Sequence, residues 1–315
     1  KMFIGFDIGG TNIKSLLTDE NGNILKFLDN RTPSSVKGIE LTLRILIESL
    51  CTESKIQKSE IKAIGIGAAG TINRKKGIVI TSPNIPAWNN YNICSRLKKI
   101  TGIDVFLEND ATAACAGIWW SKIGKKYTNF ITVTLGTGIG GGAVIDGKLF
   151  TGQNGSSMEI GHMSLDPEGE LCPCGNRGCF ELFSSATAIV KFVLSQKKLL
   201  KDSTLSHYAE NQIDSKIIFQ EAIKGDPLSL MAFERAATFL GIGIANLINI
   251  LNPKAVIIGG GLSAAEKLLL PKAKEIVQQR AMKGLKENVK IIALKNQSIY
   301  AALGAAKIAK DNMGY

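Results

Sequence analysis

The chain has 315 residues, 45% hydrophobic and 21% charged, with a formal net charge of +11. That length suits about two domains, each with a real core, and the composition is ordinary for a soluble globular protein. No apolar run reaches the roughly 18 residues of a membrane span. No secretory leader is read before the first strand, so a cytoplasmic location without membrane association is expected. The lysines are spread along the chain, and the clustered basic and aromatic residues of a nucleic-acid surface are missing. A basic surface suits an anionic substrate such as a nucleotide.

In chain order, 3-FIGFDI-8 reads as an apolar strand that runs into Gly9-Gly10-Thr11. A second strand, 13-IKSLLT-18, and a third, 24-ILKFLD-29, flank the hairpin signal Asn21-Gly22. Apolar residues at helical spacing (Ile39, Leu43, Leu46, Ile47, Leu50) predict a helix over 36–52. Strand 61-IKAIGIG-67 follows, then strand 103-IDVFLEN-109 and a helix from about Ala111 to Trp120. A second series opens with 130-FITVTL-135, which ends in Gly136-Thr137-Gly138, and continues with 142-GAVID-146 and the turn Asp146-Gly147. Helices are expected over about 184–198, 213–224 and 227–251, the last capped by Asp226 with Pro227 at its first position. Strand 255-AVIIG-259 leads into Gly259-Gly260-Gly261, and a helix, strand 289-VKIIAL-294 and a closing helix over 298–311 finish the pattern. The two series look alike, which predicts two related α/β domains with a cleft between them, and the mixed β-β-β-α-β-α order argues against a barrel. The expected domains are 1–115 and 116–297, with the closing helix 298–315 packing back on the first.

Three loops that follow strands are glycine-rich: 7-DIGGTNIK-14, 135-LGTGIGGG-142 and 258-IGGGLS-263. Glycines at strand ends let backbone N–H groups close on phosphate oxygens. Two matches to the dinucleotide fingerprint, Gly65-x-Gly67-x-x-Gly70 and Gly136-x-Gly138-x-x-Gly141, are set aside, because strand and turn sequences rather than a helix follow them. No P-loop motif occurs. Asp7 beside the first loop is either a turn aspartate or the holder of Mg²⁺ or its waters. Asp110, where a strand meets a helix, is either part of a helix cap or the carboxylate that accepts a hydroxyl proton in phosphoryl transfer.

Together, 7-DIGGTNIK-14, 108-ENDATAA-114, 135-LGTGIGGG-142, 159-EIGH-162 and 172-CPCGNRGC-179 resemble the ROK family of sugar kinases, in order and spacing over nearly the whole chain. The resemblance implies a two-domain actin/hexokinase-like ATPase fold, built from duplicated ribonuclease-H-like domains around an interdomain cleft. It implies an ATP-dependent hexose kinase of the glucokinase kind, with Asp110 as base. Other hexoses are alternatives: fructose, mannose or an N-acetylhexosamine. A non-catalytic sugar sensor and a repressor are further ones. The first glycine loop begins at Asp7, so no DNA-binding segment is expected ahead of it. The sugar is expected at Asn84, Asn109, Asp110, Glu159, His162 and Glu181. ATP and Mg²⁺ are expected at Asp7, Gly9, Gly10, Thr11, Lys14, Gly136, Thr137, Gly138, Gly259, Gly260 and Gly261. A homodimer is expected, and no nucleic-acid partner. The family pattern is broken at Thr112, Ile118 and Met158.

Cys172, Cys174 and Cys179 lie within eight residues, and His162, one of two histidines, lies ten residues before the first of them. One nitrogen and three sulfurs suit tetrahedral Zn²⁺ with a closed, structural shell. A disulfide between Cys172 and Cys174 would close an awkwardly small ring and leave one odd thiol. Unrelated thiols are the remaining reading. The resemblance implies that His162 binds zinc through one ring nitrogen and faces the sugar with the other.

Overall fold

The structure is a computed structural model that describes residues 1–153, 155–198, 202–294 and 299–315. The expected helix start at 298 and the expected domain limit at 297 lie outside the described residues. Contacts divide the chain into two compact units. The first comprises Lys1–Thr128, Gly142–Ser157 and Asn296–Tyr315, and the second Asn129–Gly141 and Met158–Lys295. This division differs from the limits 1–115 and 116–297 read from the sequence.

In the first unit the strands are β1 (Met2–Ile8), β2 (Asn12–Asp19), β3 (Ile24–Arg31), then helix α1 (Val36–Glu53) and β4 (Ile61–Ala68). A small excursion follows: β5 (Thr71–Asn73), β6 (Ile78–Thr81) and β7 (Asn89–Tyr91), leading to α2 (Ile93–Thr101). β8 (Asp104–Asn109) runs straight into α3 (Asp110–Trp120). The main sheet has the order β3-β2-β1-β4-β8, and β5-β6-β7 form a separate three-stranded sheet. β1 pairs antiparallel with β2 and parallel with β4, which pairs parallel with β8. The sheet is covered on both faces, so β1 reads as a continuous apolar run rather than an alternating one. Ile4, Phe6 and Ile8 join the α1 side of the core, whereas Phe3 joins Ala302, Leu303 and Ala306 on the other side.

The remaining elements are β9 (Phe130–Leu135), β10 (Ile139–Ile145), β11 (Lys148–Leu149), α4 (Glu181–Ser184), α5 (Ala186–Gln196), α6 (Ser215–Ile223), α7 (Pro227–Leu251), β12 (Ala255–Gly259), α8 (Glu266–Arg280), β13 (Lys290–Ala293) and α9 (Tyr300–Asn312). Their sheet has the order β11-β10-β9-β12-β13, with β12 parallel to β9 and β13. This is the strand order of the first sheet again, as a duplicated domain requires. The turn after β10 uses left-handed Asp146 and Gly147 at φ 49° and 67°, the geometry a tight hairpin needs. Asp226 caps α7 by accepting the Ser229 N–H at 2.8 Å.

Helix α9 belongs to the first unit and lies against β1, β4 and α3. Its approach is close enough to demand glycine: a Cβ on Gly5 or Gly65 would come within 1.8 Å of the Ala302 or Ala305 carbonyl oxygen. Gly65, one of the three glycines of a rejected dinucleotide motif, is thus a packing glycine. Helix α7 is long and apolar enough, by length and composition, to cross a membrane, but 61% of its apolar window is buried inside the protein.

Candidate active site and thiol cluster

The first unit gathers its candidate residues at the carboxyl ends of parallel strands. Asp7 is the next-to-last residue of β1 and stands opposite Lys14 on β2, with Lys14 Nζ 3.8 Å from its Oδ2. Burial pushes Asp7 up to about 6; Lys14 lowers it, and Asp110 and Asp29 raise it further. The loop Gly9-Gly10-Thr11 is tied down by Thr32, whose hydroxyl donates to the Gly9 carbonyl at 2.6 Å and whose N–H donates to the Thr11 carbonyl at 2.8 Å. Thr32 carries no motif that would have flagged it in the sequence. A Cβ on Gly10 would meet the Asn84 carbonyl oxygen at 2.8 Å, so the 82–88 loop lies directly on this turn.

Asn109 and Asp110 sit where β8 becomes α3. Asn109 is the cap: its Oδ1 accepts the N–H groups of Ala111 at 3.0 Å and Thr112 at 3.3 Å. That frees Asp110 from the capping role, although its Oδ1 also accepts the Ala111 N–H at 2.9 Å. Burial raises Asp110 above the usual carboxylate range, opposed by backbone hydrogen bonds from Ala111 and from its own N–H. A carboxyl so raised is a better proton acceptor when ionised. Thr112 and Ile118, the departures on this helix, are both buried core positions.

In the second unit, Gly136, Thr137 and Gly138 follow β9, and Gly259 ends the neighbouring parallel β12, with Gly260 and Gly261 after it. Thr187 donates to the Thr137 carbonyl at 2.8 Å, and Ala186 N–H to that of Gly136 at 2.8 Å, fixing the first loop. Glu181 reaches into it: a Cβ on Gly138 would stand 2.6 Å from Glu181 Oε2, which accepts the Ile139 N–H at 3.4 Å. Glu159 immediately precedes the helical turn Ile160–His162, and His162 is its last residue.

His162, Cys172, Cys174 and Cys179 converge, with their ligand atoms within 4.8 Å of one another. His162 Nδ1 lies 3.8 Å from Cys172 Sγ, and Cys174 Sγ lies 3.6 Å from Cys179 Sγ. A tetrahedral zinc with Zn–S bonds of about 2.3 Å has sulfurs about 3.8 Å apart, so donor set and spacing both fit such an ion. The backbone allows the approach because Gly175 and Gly178 are left-handed, at φ 93° and 59°. A Cβ on Gly178 would strike the Asp166 carbonyl oxygen at 1.8 Å. Met158, just before Glu159, is also left-handed, at φ 63°, where a glycine would be unstrained.

The ROK family profile matches residues 3–312, and the chain belongs to this family. Its fold is the two-domain actin/hexokinase-like fold. The chain is 38% identical over 313 residues to the glucokinase of Thermotoga maritima, covering 99% of this chain and 98% of that one. A crystal structure of a ROK family glucokinase from Streptomyces griseus, in complex with glucose and AMPPNP, superposes with a TM-score of 0.84 at 30% identity, covering 99% of this chain and 100% of the other. The xylose repressor of Caldicellulosiruptor bescii is 32% identical, over 98% of this chain and 78% of the repressor.

Proposed function

We propose that this protein is an ATP-dependent hexokinase that converts glucose to glucose 6-phosphate. The observation that carries the reading is the full-length similarity to glucokinases, one of them a structure holding glucose and an ATP analogue. In this reading Asp110 accepts the proton of the sugar 6-hydroxyl as that oxygen attacks the γ-phosphorus of ATP. The new O–P bond forms in line as the bond to the β,γ-bridging oxygen breaks, and ADP leaves. Asn84, Asn109, Glu159, His162 and Glu181 hold the other sugar hydroxyls. The three glycine loops, with Thr11, Lys14 and Thr137, hold the nucleotide.

Asp7 would hold Mg²⁺ or its waters; the burial that pushes its carboxyl up to about 6 is the cost a nearby cation removes. Bound Mg²⁺ would neutralise charge on the transferring phosphates. A zinc held by His162, Cys172, Cys174 and Cys179 would fix the imidazole's tautomer and orientation. Similarity to repressors raises a second reading, a sugar-responsive regulator. Asp7 and Asp110, the two acids that phosphoryl transfer uses, favour the kinase. A homodimeric, cytoplasmic enzyme completes the proposal. A coupled assay of ADP release across glucose, fructose, mannose and N-acetylhexosamines tests it. Turnover highest on glucose is expected, and no turnover on any hexose would overturn the reading.

A further inference from the structure

Glu108 is fully buried, one residue before the cap of α3. Its Oε1 accepts the backbone N–H of Asn109 at 2.9 Å, and its Oε2 pairs with Arg74 Nη2 at 2.5 Å. Arg74 lies in the tight turn between β5 and β6, where its carbonyl accepts the Gly77 N–H at 3.3 Å. Of the three cations in 74-RKK-76, Lys75 and Lys76 are exposed, and Arg74 alone turns inward. Gly155 makes room for it: a Cβ there would stand 2.4 Å from Arg74 Cδ. The same hairpin meets Asn109 a second time, through Asn109 Nδ2 donating to the Gly70 carbonyl at 3.5 Å.

An ion pair with a fully buried carboxylate and a half-buried guanidinium is a poor way to gain stability, since apolar replacements of similar volume are often as stable or more so. Its strength is geometric. This pair fastens the peptide group just before Asn109 to the hairpin whose second strand, β6, leads into the loop carrying Asn84. We infer that Arg74 and Glu108 form a positioning pair that sets Asn109 and Asp110 in register with the Asn84 loop for phosphoryl transfer. The inference rests on the kinase reading above. Burial pushes the Glu108 carboxyl up to about 7 while Arg74 lowers it, so the anion needs its partner to persist. Neither residue touches the reacting atoms in this proposal; they act through the Glu108–Asn109 peptide.

The test uses the full chain with Glu108→Gln, Arg74→Met, Arg74→Lys and the double variant Arg74→Met/Glu108→Gln. The readouts are kcat, KM for glucose and ATP, glucose affinity by calorimetry, and the folded fraction by thermal unfolding. We expect kcat per folded molecule to fall about 10- to 100-fold in Glu108→Gln and Arg74→Met, as slight misplacement of a catalytic group does. KM for ATP should stay within about twofold, because uniform nucleotide binding is untouched. The double variant should be no slower than the worse single one. Arg74→Lys, which can keep a single N–H contact, should recover part of what Arg74→Met loses. If Glu108→Gln does not fold, the comparison of Arg74→Met with Arg74→Lys decides. Folded variants that turn over at the wild-type rate, or a lysine no better than methionine, would overturn the inference while leaving the kinase reading intact. A wild-type protein that phosphorylates no hexose would remove both.

Discussion

Glu181 Oε1 lies 3.6 Å from His162 Nδ1, and its second oxygen accepts the Ile139 N–H just after the 136–138 glycine loop. One carboxylate therefore touches both the thiol cluster and a loop assigned to the nucleotide. Disturbing the cluster should be felt at the sugar site. Protein purified without added metal should contain one zinc per chain by elemental analysis. Cys174→Ser and Cys179→Ser should lose it, lower the unfolding temperature and raise KM for glucose about tenfold or more. A zinc-free protein with full activity and stability would refute the assignment.

Asp110→Asn keeps the shape and loses the carboxylate proposed as the base. The expected result is a fall in kcat of about 10²- to 10⁴-fold with calorimetric glucose affinity nearly unchanged. Because burial raises the Asp110 carboxyl, the acid limb of the wild-type pH–rate profile should lie above the ordinary carboxylate range. Undiminished turnover in the variant would remove Asp110 from the mechanism.

Asp7 sets function against stability. Its carboxyl rises from 3.8 to about 6 on folding, so between those values the folded state binds more protons than the unfolded one. Stability from this group is complete below 3.8 and declines as pH rises through about 6. A rise of that size corresponds to on the order of 3 kcal/mol of destabilisation at neutral pH. Asp7→Asn should therefore raise the unfolding temperature in metal-free buffer at pH 7.5 and abolish ATP turnover. A variant no more stable than wild type there would contradict the burial argument.

Met158 occupies a left-handed backbone position. Met158→Gly should stabilise the protein by up to about 1 kcal/mol in urea unfolding, the steric relief slightly exceeding glycine's added chain entropy. Met158→Ala keeps the Cβ and should gain nothing. Equal effects from the two would show that backbone strain is not the cause.

Despite a net charge of +11, no sequence-selective DNA binding is expected. Any shift with duplex DNA should vanish steeply with salt, as phosphate contacts alone do. A salt-resistant, operator-like preference would favour the regulator reading.

Much of this arrangement is legible in the sequence because its signals are local. The apolar runs of β1, β9 and β12 end in glycines, and the His162, Cys172, Cys174 and Cys179 spacing carries its own chemistry. Strand β10 begins at Ile139, inside the glycine run, earlier than the strand read from 142, because pairing rather than composition sets its start. The three-stranded sheet and α2 are not legible. Strands of three residues such as Asn89–Tyr91 are too short for alternation to register, and Ile93–Thr101 is a nine-residue helix whose cap, Asn92, sits in a run of asparagines. The Arg74–Glu108 pair is invisible for a different reason: no short-range pattern shows that one lysine-flanked arginine turns inward.

The placement of α9 bears on the order of synthesis. Its alanines complete the core that Phe3, Leu16 and Ala63 begin, yet they leave the ribosome only after all of the second unit has emerged. The early strands must wait, with Gly5 and Gly65 presenting a bare furrow that nothing nearby in the chain can fill. The second unit, made of Asn129–Gly141 and the long run Met158–Lys295, can mature first. A nascent chain stalled before residue 300 should thus carry a protease-resistant later half and a still-digestible beginning, the reverse of vectorial folding from the N-terminus.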